Sequence, residues 1–193
     1  MGPMAPSDVS APESNPLGQY EDDSFVRLLN RLMGNWRNPS PWFAYTISRD
    51  VWVDVEARIA ERDAESALWG FKSPQLCILG PPFALRLSAP NVIFTHRNFD
   101  ACVDSLAKRD EMPRAVAETI QSRYVMGIYE FSGFCAATDI PSFIMPYDEL
   151  VAEPEAGVDF IISALKLEPS DLERARAIQH VRPSLRHHVG APR

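Results

Sequence analysis

The run Val92-Ile-Phe-Thr95, followed at once by His96, Arg97 and Asn98, constrains this chain more than any other stretch. Four consecutive β-branched and aromatic residues read as a short strand buried on both faces, the kind that sits inside a parallel sheet. Asn98 is a good N-cap, and Phe99, Cys102, Val103 and Leu106 recur at the spacing of one helical face, which predicts a helix over 99–108. The product is a strand, a tight turn and a helix, with Arg97 at the strand end. In such units ligands collect at the carboxyl ends of the strands. The helix N-terminus there offers N–H groups and a positive dipole end to an anion.

The remaining elements follow from similar signals. Residues 1–19 carry Pro, Ser and Gly without periodicity and read as a mobile arm, so that a single α/β domain is expected over 20–193. Asp22 or Asp23 can cap a helix bearing Phe25, Val26, Leu28, Leu29 and Leu32, which stops near Gly34. A Pro-rich loop around Pro39 and Pro41 precedes a helix from about Ser48 to Glu65 with Val51, Val55 and Ile59 in its apolar stripe. A short strand is predicted over 68–71, irregular chain over 76–87 around Pro81 and Pro82, and a long helix over 112–135 with Pro113 in its first turn. Val116, Ile120, Tyr124, Ile128 and Phe131 share one stripe of that helix, whereas Gly127 and Gly133 match no recognised motif. A third strand at 142–145 and helices at 157–167 and 170–178 complete the pattern, the last opened by a capping box, Ser170-Asp-Leu-Glu173. Strands alternating with helices predict a three-layer α/β fold, a parallel sheet flanked by helices.

Composition narrows the function classes. At 193 residues and 46% hydrophobic content the chain can bury the core of one domain. A net charge of -7 and a pI near 5.1 argue against a general nucleic-acid or anionic-membrane binder. Cys77, Cys102 and Cys135 are odd in number and widely spaced, which disfavours a disulfide framework or a zinc site and fits buried thiols in a reducing compartment. His180, His187 and His188 have no carboxylate at a helical ligand spacing and read as solvated, so no metal is expected. No apolar run is long enough to span a membrane and no signal-peptide core is present, so the expected location is the cytoplasm.

Five segments in register resemble the sulfotransferases that use 3′-phosphoadenosine 5′-phosphosulfate (PAPS). Asn15-Pro-Leu-Gly-Gln-Tyr-Glu-Asp22 resembles the Asn-Pro-x-Gly-Tyr/Phe-Phe-Glu-Asp segment of the bacterial type, and Trp69-Gly-Phe-Lys-Ser-Pro74 their Trp-Gly-x-Lys-x-Pro strand end. Arg97 with Ser105, eight residues on, matches the pair that holds the 3′-phosphate of the donor. Pro146-Tyr-Asp-Glu-Leu150 with Glu153-Pro154 looks like the family's Tyr-Glu-x-Leu helix start, and Pro183-Ser-Leu-Arg-His187 like its Leu-Arg-His ending.

The resemblance implies a fold similar to P-loop NTPases, PAPS as donor with PAP (adenosine 3′,5′-bisphosphate) as product, and a hydroxyl or amine acceptor on a small molecule or glycan. It implies that Arg97, Ser105 and Arg186 contact the nucleotide and that Lys72 offsets charge on the bridging oxygen. Some members carry a His two residues after that Lys, where this chain has Pro74, so the general base is assigned to Glu21. Plainer readings stand beside these roles: a surface Lys at a sheet edge, and a Glu21-Asp22 pair that favours the following helix N-terminus. The family's first strand and 5′-phosphosulfate loop would precede Asn15, yet Met1 to Ser14 holds no basic residue and no apolar strand. The chain is therefore expected to lack that strand and loop, as a truncated reading of a longer enzyme or as a natural protein that has lost them. It would then be inactive alone, with its incomplete sheet rearranged or covered by a further segment or by another chain, as in a homo-oligomer. The alternative is a non-catalytic nucleotide-binding or oligomeric scaffold of that family.

Overall fold

A computed structural model describes residues 22–33 and 49–181. Along them run α1 (Asp23–Met33), α2 (Arg49–Glu65), α3 (Leu76–Ala84), β1 (Val92–His96), α4 (Phe99–Arg109), α5 (Arg114–Ala137), β2 (Ser142–Pro146), α6 (Tyr147–Ala152), α7 (Pro154–Ala164) and α8 (Asp171–His180). The architecture is mixed α/β, mostly helical, with one sheet of two parallel strands among the described residues. The expected N-terminal arm lies outside them. The described chain falls into two compact units, one of residues 22–33, 49–89 and 122–131, the other of 90–121 and 132–181.

The first unit is built on the helical stripes expected of α1 and α2. Phe25, Leu28, Leu29 and Leu32 of α1 and Val51, Val55 and Ile59 of α2 are buried together with Trp52, Leu79 and Phe83. Asp22 caps α1, its Oδ1 accepting the N–H groups of Ser24 at 3.0 Å and Phe25 at 3.1 Å. Its Oδ2 accepts from Arg58 Nη2 and Arg62 Nε, each at 2.9 Å, and from Arg62 Nη2. One buried carboxylate thus caps α1 and ties it to α2.

Two segments of this unit depart from the expected elements. Residues 68–71 form no strand. Instead Phe71 stacks on Phe25 with ring centroids 4.4 Å apart, Trp69 stacks on the same ring at 5.7 Å, and the Trp69 indole N–H donates to Asp63 at 2.8 Å. Aromatic burial of this kind needs side-chain partners and no ladder. Residues 76–84, expected to be irregular, form α3 in spite of Pro81 and Pro82. Both prolines lie in its second half, where they withhold donors but still accept, as Pro81 O does from the Leu85 N–H at 3.3 Å.

Proline at 81 leaves the Cys77 carbonyl without the N–H that would bond it within α3. That oxygen meets Gly127 of α5: a Cβ built on Gly127 would stand 2.5 Å from Cys77 O and 3.0 Å from its carbonyl carbon. The hydrogen that glycine carries there points at the oxygen, the geometry of a Cα–H···O contact between helices. Gly80 of α3 is similarly constrained, because a Cβ there would fall 2.0 Å from the Phe131 ring.

In the second unit β1 and β2 pair in register from Val92↔Ser142 to His96↔Pro146. The strands expected at these places form, with Phe94 buried at the centre of β1 and Met145 buried near the end of β2. Ile144, the register partner of Phe94 at the centre of β2, is 62% exposed, unusual for a parallel strand. Asn98 caps α4 as expected, its Oδ1 accepting the Ala101 N–H at 3.0 Å. Pro113 occupies the N-cap of α5 rather than its first turn. Ser170 and Glu173 close the anticipated capping box on α8. Helices α4, α5 and α7 are each followed, two residues past the end, by a non-glycine residue of positive φ: Glu111 at 50°, Asp139 at 56° and Lys166 at 51°. In each case the following N–H reaches back to a carbonyl of the last turn: Met112 to Ala107 and Ile140 to Cys135 at 3.0 Å, Leu167 to Ile162 at 2.9 Å.

Candidate functional site

The carboxyl end of the β1–β2 pair is where the second unit gathers groups with chemistry. Because His96 and Pro146 are register partners, the next residues, Arg97 and Tyr147, leave the sheet side by side. The Arg97 guanidinium carbon lies over the Tyr147 ring, 5.1 Å from its centroid. Both residues are half-buried. From this point α4 runs away behind its Asn98 cap and α6 begins at Tyr147.

Cys102, one turn into α4, belongs to the same cluster. Burial pushes its thiol above the ordinary value, the nearby Arg97 charge opposes that rise and the Asp148 carboxylate adds to it. The thiol is thus held protonated and serves as a small packing group rather than a nucleophile. Residues 98, 102 and 105 share one face of α4, so Ser105 stands one turn beyond Cys102 on the face that carries the Asn98 cap. Ser105 is half-buried. In the first turn of α4 the Asp100 carboxylate accepts from Arg114 Nη2 at 2.7 Å, so its charge is paired within the α4–α5 contact.

A cation held on an aromatic face beside a helix N-terminus suits an anion of the phosphate class. The ring fixes the guanidinium plane, its N–H edges can fork onto two phosphate oxygens, and the helix end adds dipolar attraction. Among the described residues no group of three or more His, Cys, Asp and Glu could hold a metal ion.

Of the other expected site residues, Lys72 alone lies among the described residues. Lys72 is exposed and belongs to the first unit, following Phe71 in the extended segment that leads into α3. Around it Trp69 and Phe71 pack into the aromatic core, Ser73 and Gln75 are buried, and Gln75 Nε2 donates to Asn30 Oδ1 at 2.5 Å. Trp69, Phe71, Ser73 and Gln75 thus serve packing, while Gly70, Lys72 and Pro74 are exposed. Cys77, just beyond, has its thiol pushed up to about 11 by burial. Glu21 and Arg186, assigned to the acceptor proton and the nucleotide, lie outside the described residues, as do His187 and His188. Tyr147 and Asp148 carried no site assignment from sequence. Their signal was available in the strand ending at Pro146, but only the register with β1 places them beside Arg97.

No family model, curated protein or solved structure matches this chain.

Proposed function

We propose that the second unit binds a 3′-phosphorylated adenosine nucleotide, Arg97 and Ser105 holding its 3′-phosphate. On the same reading the protein is a sulfotransferase-type enzyme that passes the sulfuryl group of PAPS to a hydroxyl or amine acceptor. The observation that carries this is the place of Arg97: at the carboxyl end of a parallel strand, directly before a capped helix, with Ser105 on the face of that helix that begins at the cap. The β1–β2 pair is taken as part of the three-layer parallel sheet of that fold.

In the transfer the acceptor oxygen or nitrogen attacks sulfur in line, the bond from sulfur to the bridging oxygen breaks, and PAP leaves with that electron pair. Such a step depends mostly on positioning and on cations that meet the developing charge. Lys72 on the bridging oxygen and Glu21 as acceptor base are assigned by resemblance alone. A 5′-phosphosulfate cradle is a further requirement of catalysis, so binding of PAP is a more direct test than turnover.

Calorimetric titration of the chain with PAP is expected to give saturable one-site binding. Arg97→Ala is expected to weaken it by about 10- to 100-fold, the loss of charge-assisted hydrogen bonds to a phosphate. A folded chain that binds no PAP, or an Arg97→Ala variant that binds as tightly as the parent, would overturn the proposal.

One observation favours a second reading, a nucleotide-binding or oligomeric scaffold without transfer. Ile144 is 62% exposed on a strand type that is normally covered on both faces. A single mass species equal to one chain across micromolar concentrations in light scattering would remove that support.

A further inference from the structure

We infer that Tyr147 is a positioning residue for anion recognition, acting through Arg97 rather than by touching the ligand; this rests on the nucleotide reading above. The sheet register brings positions 97 and 147 to the same end of neighbouring strands, immediately after the last pair, His96↔Pro146. There the ring lies under the guanidinium at 5.1 Å. An arginine side chain has four rotatable bonds, and one that is to meet a phosphate with two parallel N–H groups must be fixed in plane before the ligand arrives. The Tyr147 ring supplies that fixation, because attraction between the guanidinium and the π face holds the cation in place over the ring. The backbone of Tyr147 is itself fixed: it opens α6 directly from Pro146, whose φ of -66° is set by its own ring. The two strands thus each contribute one half of the device, the cation from β1 and its platform from β2.

Three properties separate this role from a nucleoside contact. The aromatic ring is needed and the hydroxyl is not, so Tyr147→Phe is expected to bind PAP within about twofold of the parent. Tyr147→Leu is expected to bind about fivefold more weakly, the equivalent of about 1 kcal/mol for a cation–π contact at a half-buried site. Because the effect passes through Arg97, the Leu change is expected to cost nothing further in an Arg97→Ala background.

The experiment is a double-mutant cycle by calorimetry with PAP on the full chain, joined to NMR of the arginine Nε–H signals. The Arg97 signal should be displaced by the Tyr147 ring, and the displacement should vanish in Tyr147→Leu and persist in Tyr147→Phe. Additive losses in the cycle would mean that the ring touches the nucleotide and would overturn the inference, as would a Tyr147→Leu variant that binds normally. A chain that fails to bind PAP while keeping the displaced Arg97 signal sinks the nucleotide reading and this role with it. A chain that binds PAP with no ring-displaced signal sinks the positioning role alone.

Discussion

Replacing Gly127 by alanine is expected to destabilise the protein by about 1–3 kcal/mol, the usual cost of forcing an extra methyl into a packed contact. In an ordinary helix interior the same change would stabilise by about 1 kcal/mol, because glycine is the poorer helix former. The sign reverses here because the new Cβ would stand 2.5 Å from the Cys77 carbonyl oxygen and 3.0 Å from its carbon. Those are backbone atoms of α3 and cannot swing aside as a flexible side chain would. Gly133, six residues further along the same helix, provides the control. A Cβ there meets nothing within 4 Å, so Gly133→Ala is expected to gain about 0.5–1 kcal/mol. Urea denaturation of both variants beside the parent measures the pair of effects. A Gly127→Ala protein as stable as the parent would mean that α3 and α5 do not approach this closely in solution.

Asp22 is expected to produce the other large effect. Its side chain is 2% exposed and its two oxygens divide their work, Oδ1 on the α1 N–H groups and Oδ2 on Arg58 and Arg62. Asp22→Ala removes the cap and the shared anion together. A loss of about 3 kcal/mol is expected, near the lower end for breaking a buried ion pair, since Arg58 and Arg62 at 19% and 23% exposure keep some solvent. Asp22→Asn retains a capping oxygen and should lose about 1 kcal/mol less. Burial alone would raise this carboxyl, but the hydrogen bonds from Arg58, Arg62 and the Phe25 N–H outweigh it and hold the group below its ordinary 3.8. The native state therefore binds the proton less readily than the unfolded chain. The stability it contributes is complete above the unfolded value and is lost as pH falls below 3.8 through the lowered native one. The stability gap between the parent and Asp22→Asn should narrow on acidification across that window. A gap that stays constant would show that the charge of Asp22 adds nothing to folding.

Local signals in the sequence sufficed for most of the elements themselves. The stripes of α1 and α2, the Asn98 cap, the strand before Arg97 and the Ser170–Glu173 box depend on residues within one or two turns of each other. Their sequence signals are local, even where the element itself, like the strand, needs a distant partner to form. The ends of α4, α5 and α7 were less legible, because Glu111, Asp139 and Lys166 take the left-handed position where glycine is the usual marker.

Other features were decided only by tertiary structure. Residues 68–71 were expected to form a short strand, yet the Phe25 ring draws Trp69 and Phe71 into an aromatic stack that needs no ladder partner. Pro81 and Pro82 suggested irregular chain, yet packing of Leu79 and Phe83 into the core favours the helical turn, and the carbonyl that proline leaves unbonded gives Gly127 its purpose. At the candidate site the sequence alone determined that Arg97 ends a strand and precedes a capped helix. The register of β1 with β2 decided that Tyr147 and not another aromatic lies beneath it, because pairing between strands some fifty residues apart is a long-range choice that no local spacing records.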